Sequence, residues 1–183
     1  MNKKLNTKLM VQVALVTAVI CILAPLSIPL PFSPVPISLT ILAIYFGLYA
    51  IGWKFGTLAC FIYIILGLIG VPVFSGFSSG PGKLFGPTGG YIFGFLFVSV
   101  IAGICIDKFE SKIWMHIIGM IIGVAICYTF GTIWFLIVMD GYTVSSALAA
   151  CVIPFIPADA VKIIIAVLVG PAIRKGVKKI NNN

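Results

Sequence analysis

Charge is what this sequence has least of. Of its 183 residues only 9% are charged, with four acids and a single histidine. A soluble domain carries about 25% charged residues, so a water-facing surface could not be covered here, and a soluble globule is excluded. One histidine and four acids also leave too few groups for a metal centre or a catalytic triad. The chain is therefore read as a non-enzyme with no cofactor of its own. Cysteine occurs five times, at Cys21, Cys60, Cys105, Cys127 and Cys151. These positions are scattered, four of them inside apolar runs, which fits neither a disulfide framework nor a metal cluster. Polar groups that could line a pore are also missing from the apolar runs, which argues against a channel.

What the sequence has is apolar length. It is 61% hydrophobic and 13% aromatic, and runs of about 18 residues, enough to cross the hydrocarbon core of a bilayer, recur along it. The fold class predicted is an all-α integral membrane protein, a single domain over 1–183 with six transmembrane helices. The spans are placed at about 9–28, 37–51, 55–71, 89–106, 113–139 and 157–173. The start, Met1 to Lys8 before an apolar run, resembles a signal peptide. No small-residue cleavage site follows and more spans come after it, so it is kept as the first span. Pro25, Pro29, Pro31, Pro34 and Pro36 read as an extended turn, because proline cannot continue a helix. The turn Asp107–Lys112 reads as solvated, and 142–157 as ambiguous, with an interfacial helix as one reading. Small residues four apart, Ala14 and Ala18, Gly90 and Gly94, Gly119 and Gly123, mark faces where another helix can approach closely.

The net charge of +8 reports orientation rather than nucleic acid. With both termini cytoplasmic, Lys3, Lys4, Lys8, Lys54, Lys108, Lys112, Arg174, Lys175, Lys178 and Lys179 fall inside. Lys83 lies outside and Lys162 within the last span, accounting for all 12 basic residues. The location expected is a bacterial plasma membrane, and that asymmetry supports the six-span count and the cytoplasmic termini. It also places an ordered loop between the third and fourth spans, GVPVFSGFSSGPGKLFGPTGGYIFGF at 70–95, on the outer face. Loops this long are usually functional or disordered. Gly82-Lys83 resembles the end of a phosphate-binding loop, but Phe77 stands where the first glycine belongs and Leu84 where the hydroxyl belongs. The glycines instead allow close backbone approach to a small solute, with Phe74, Phe77 and Tyr91 as walls. Asp159 and Lys162, at i and i+3, share one face of the last helix. Ionisable groups at membrane depth are costly and usually face a partner or a ligand. Their two readings are an internal ion pair and the polar floor of a solute site. His116, beside Trp114, is assigned a packing or headgroup role.

The combination GVPVFSG, GPTGGYIFGF and FIPADAVK, with VPISLT in the second span, resembles the BioY biotin transporter family over essentially the whole chain. The resemblance implies a substrate-binding S component of an energy-coupling factor transporter, capturing biotin at the outer face. It implies work with a transmembrane coupling protein and two ABC-type ATPases, which would be the users of ATP. It also implies toppling within the bilayer to release biotin inside. The family's acid and lysine map onto Asp159 and Lys162, and the partner-docking face onto Ala14 and Ala18. Asp159 could accept from the two ureido N–H groups of biotin, while Lys162 or Lys83 could pair with its carboxylate. Some relatives carry an asparagine in the loop, an arginine after GGY and a glutamine in the second span. Here those positions hold Ser78 or Ser79, Ile92 and Thr40. The competing readings are an S component for another vitamin, an autonomous carrier, and a membrane scaffold without a ligand.

Overall fold

A computed structural model describes residues 7–31 and 33–182. The basic residues Lys3 and Lys4, used above for orientation, lie outside the described residues. The element order is α1 (Thr7–Leu23), β1 (Ser27–Leu30), β2 (Ser33–Ser38), α2 (Thr40–Ile51), α3 (Trp53–Leu68), α4 (Pro81–Leu84), α5 (Gly89–Lys108), α6 (Ile113–Val138), α7 (Val144–Cys151) and α8 (Phe155–Asn182). The protein is mostly helical. Among the described residues, Gly89–Lys108, Ile113–Val138 and Phe155–Ile180 are long and apolar enough to cross a membrane, while α1, α2 and α3 are shorter apolar helices.

The proline-rich connection is not an extended turn. It folds into an antiparallel ribbon in which Ser27 faces Ser38 and Leu30 faces Ser33, with an irregularity between Ile28 and Leu30. The all-α expectation is corrected to that extent. Proline suits a ribbon that is all edge. Pro34 and Pro36, two residues apart in a strand of period two, point their nitrogens the same way. The first helix accordingly ends at Leu23 rather than 28, since Pro25 cannot supply the next N–H. The ambiguous 142–157 segment contains the short helix α7, started by a reciprocal cap between Thr143 and Ser146. The last helix is longer than the span assigned to it and runs through Pro171.

Glycine decides the close packing. α5 and α6 form a tight antiparallel pair in which a Cβ on Gly94 would lie 2.5 Å from Cys127 Sγ. A Cβ on Gly123 would lie 3.1 Å from the Val98 backbone. Across the bundle, Gly170 of α8 receives the ring of Tyr49. Gly67 of α3 receives the ring of Phe74, which is fully buried and meets Tyr63 edge-on. That contact pins the 70–88 segment onto α3, as does the Gly80 N–H donating to the Gly67 carbonyl.

The Asp107–Lys112 turn is not simply solvated. The Arg174 guanidinium lies 2.8 Å from Asp107 as an ion pair too oblique for a hydrogen bond, and donates to Glu110 at 2.5 Å. Lys178 also pairs with Glu110, and Asp107 accepts from the Trp53 N–H. This network ties the ends of α5 and α8 to the Gly52 turn, where φ is +82°. Lys178 and Arg174 hold the Glu110 carboxyl below its ordinary range. Lys8 donates to the Ile180 carbonyl, so the start of α1 and the end of α8 share this basic end of the molecule. His116 is buried between the Tyr49 hydroxyl and the Phe109 carbonyl. The cysteines are free, with Cys60, Cys127 and Cys151 buried.

Candidate functional site

The opposite end carries the β-ribbon, the 70–88 segment, α7 and the start of α8. One turn into α8, Asp159 and Lys162 are 4% and 6% exposed. Helical spacing of three brings them to one face, and Lys162 Nζ donates to Asp159 Oδ1 at 2.7 Å. A carboxylate still has room for other donors. Its Oδ2 accepts a short hydrogen bond from the hydroxyl of Tyr128 on α6. The site is thus a buried acid held between a cation on its own helix and a phenol from a neighbouring one. Buried charges are tolerated when paired and hydrogen-bonded in this way.

A second polar cluster lies under the ribbon. Val35, Pro36, Ser38, Thr40, Tyr63, Ser75, Thr88, Tyr91, Ile92 and Phe95 line a cavity of about 30 Å³. Thr40 is buried and shares a 2.8 Å hydrogen bond with Ser38. Tyr91, at the start of α5, bonds through its hydroxyl to Thr132 of α6 at 3.1 Å. Its carbonyl accepts from the Cys127 thiol at 3.6 Å. α6 therefore joins the two clusters: Tyr128 reaches Asp159, and its neighbours Cys127 and Thr132 hold Tyr91.

The sequence-derived candidates divide accordingly. Asp159 and Lys162 touch each other, and Thr40 and Tyr91 share the small cavity. Phe74 is a fully buried anchor of the loop against Tyr63 and Gly67. Ser78 is half-buried and donates to the Ser75 carbonyl within the loop, and Ser79 is half-buried beside it. Phe77 is 67% exposed with φ of +55° and so is not a wall of this cavity. Lys83, in α4, is half-buried, and that burial lowers its pKa from the ordinary lysine value. It makes no ion pair among the described residues. Sequence reasoning missed Tyr128, Tyr63, Ser38, Ser75 and Thr88. Tyr63 and Tyr128 are polar tips inside apolar runs, which buried tyrosines usually hydrogen-bond, and that signal could have found them.

Ala14 and Ala18 are exposed on α1. They line an apolar groove of about 520 Å³ with Met10, Thr17 and Cys21 of the same helix and Leu58, Ile62 and Leu66 of α3. No group of three or more metal-ligating side chains exists among the described residues.

The sequence matches the BioY family over residues 1–179. It is 34% identical over 166 residues to a biotin transporter BioY of Thermotoga maritima, covering 91% of this chain and 95% of that one. It is 32% identical over 180 residues to the biotin transporter BioY2 of Lactococcus lactis, covering 96% of each. Among solved structures, the S component for biotin from an ECF-type ABC transporter superposes with a TM-score of 0.85 at 30% identity. That match covers 96% of this chain and 95% of the other.

Proposed function

The chain belongs to the BioY family, and on that premise we propose that it is the biotin-binding S component of a vitamin uptake transporter. The observation that carries this reading is the buried Asp159–Lys162 pair, completed by Tyr128. A carboxylate sequestered at membrane depth is an acceptor matched to an N–H donor of a ureido ring. In this reading six helices span the bacterial plasma membrane, α1, α2 and α3 included, with both termini cytoplasmic. The ribbon, the 70–88 segment and α7 then face outward, and the Arg174–Glu110 network faces the cytoplasm.

Asp159 accepts from one ureido N–H. Lys162 holds the acid in place, or shares the ligand's carboxylate with Lys83. Lys83 is the better suited of the two to that carboxylate, because Lys162 already has a counter-ion. Tyr91 and Thr40, under the ribbon, contribute apolar and polar wall. Drug-sized ligands occupy pockets of about 300–1,000 Å³, ten times the cavity beneath the ribbon. Entry therefore requires the 70–88 segment to move as a lid.

The exposed Ala14–Ala18 face and its groove are the docking surface for a transmembrane coupling protein, through which two ABC-type ATPases act. Small residues four apart permit the close helix approach this requires. Competition binding on the purified protein tests the reading. Biotin and desthiobiotin, which share the ureido ring, are expected to displace labelled biotin, whereas thiamine and riboflavin are not. Displacement by thiamine or riboflavin instead would assign the chain to another vitamin.

A further inference from the structure

The Tyr128–Asp159 contact is, among the described residues, the one side-chain hydrogen bond between α6 and α8. It uses the same carboxylate oxygen that remains after Lys162 has taken Oδ1. A cyclic urea carries its N–H donors and its carbonyl acceptor on adjacent atoms of one ring. A ligand that donates into Asp159 Oδ2 therefore brings its carbonyl oxygen beside the Tyr128 hydroxyl. A phenol has one proton to donate, so it must choose between the carboxylate and that carbonyl.

Resting on the biotin reading above, we infer that Tyr128 is a specificity-determining residue that contacts the ligand. Its hydroxyl transfers its hydrogen bond from Asp159 to the ureido carbonyl as one ureido N–H takes its place on Oδ2. No polar group is stranded by this exchange: Oδ2 trades one donor for another, and the phenol trades one acceptor for another. Unpaired buried groups are what make such sites selective, because a ligand lacking the complementary atom leaves the protein's own group unsatisfied. Asp159 alone would accept any N–H donor. With Tyr128 beside it, the site demands a donor and a strong acceptor on the same ring.

The test compares biotin with 2-thiobiotin, which keeps both N–H groups but replaces the carbonyl oxygen by sulfur, a weak acceptor. Both are titrated into the purified full chain in detergent, as wild type, Tyr128→Phe and Lys162→Met. The wild type is expected to prefer biotin by about tenfold or more, the discrimination a polar site achieves when one buried group loses its partner. Tyr128→Phe is expected to bring the two ligands to within about twofold of each other, since the donor that told them apart is gone. Lys162→Met is expected to keep the preference even where it weakens both. Equal affinity of the wild type for the two ligands overturns the inference. So does a Tyr128→Phe protein that weakens both by the same factor, because Tyr128 then only holds Asp159 in place. Should Tyr128→Phe fail to fold, Lys162→Met decides: a preference lost there assigns the donor to the lysine. A wild type that binds neither ligand has a different signature, since the biotin reading itself fails.

Discussion

At the scale of single residues, the placement of charge carries most of the information. Asp159 was legible because it is one of four acids in 183 residues and stands three positions before a lysine in an apolar run. That spacing settles which helix face both occupy, and the 2.7 Å contact follows. Tyr128 was not legible by the same route, because its partner lies 31 residues away on another helix. Asp107 failed for a related reason: a charged turn reads as solvated until Arg174, far along the chain, is folded onto it. Lys83 belongs at this scale too. Burial holds its pKa below the ordinary value of 10.5, whereas a carboxylate ligand is ionised above about pH 5. A contact between them is formed below the lowered lysine pKa and is lost as pH rises through it. Biotin affinity is therefore expected to decline in the alkaline range in the wild type. Lys83→Ala should be weaker by about fivefold at pH 7, a partly exposed ion pair being worth on the order of 1 kcal/mol. Its affinity should lack the alkaline decline, and titrations at several pH values would show whether it does.

Among the elements, the α5–α6 pair was the easiest to foresee, since Gly90, Gly94, Gly119 and Gly123 set a repeat of small residues that α-helical geometry turns into one face. The same closeness sets Tyr91 at the edge of the small cavity. A Cβ on Gly131 of α6 would fall 2.4 Å from the ring of Tyr91, so Gly131→Ala must displace that ring from the cavity edge. Overpacking of this kind typically costs about 1–3 kcal/mol. A lowered melting temperature in detergent, together with weakened biotin binding, is the expected outcome. Unchanged binding would separate Tyr91 from the site. The β-ribbon was the least legible element. Alternating prolines fit a turn as well as a strand, and only the pairing of Ser27 with Ser38 distinguishes the two.

For the whole molecule, the two ends have separable tasks. The ribbon end holds the acid, the 70–88 segment and the small cavity, while the basic end is fastened by Arg174, Lys178, Asp107 and Glu110. Because Glu110 has a depressed pKa, the stability it contributes is present above its ordinary value of 4.5 and is lost as pH falls through the folded value. The apolar groove at Ala14 and Ala18 belongs to neither end. Ala14→Trp with Ala18→Trp is expected to abolish co-purification with a coupling protein while leaving biotin affinity within about twofold, since distant sites behave additively. A parallel loss of biotin binding would show that the α1 face is part of the ligand site.

In the reading proposed here, a ureido-bearing vitamin sits on Asp159. Isothermal titration of biotin into the purified chain in detergent, beside Asp159→Asn, tests it most directly. The wild type is expected to show saturable one-to-one binding. Asp159→Asn, which loses a charge-assisted acceptor worth roughly 1.5–3 kcal/mol, should bind about 10- to 150-fold more weakly. No heat in the wild type, or equal affinity in both proteins, would remove the vitamin from Asp159.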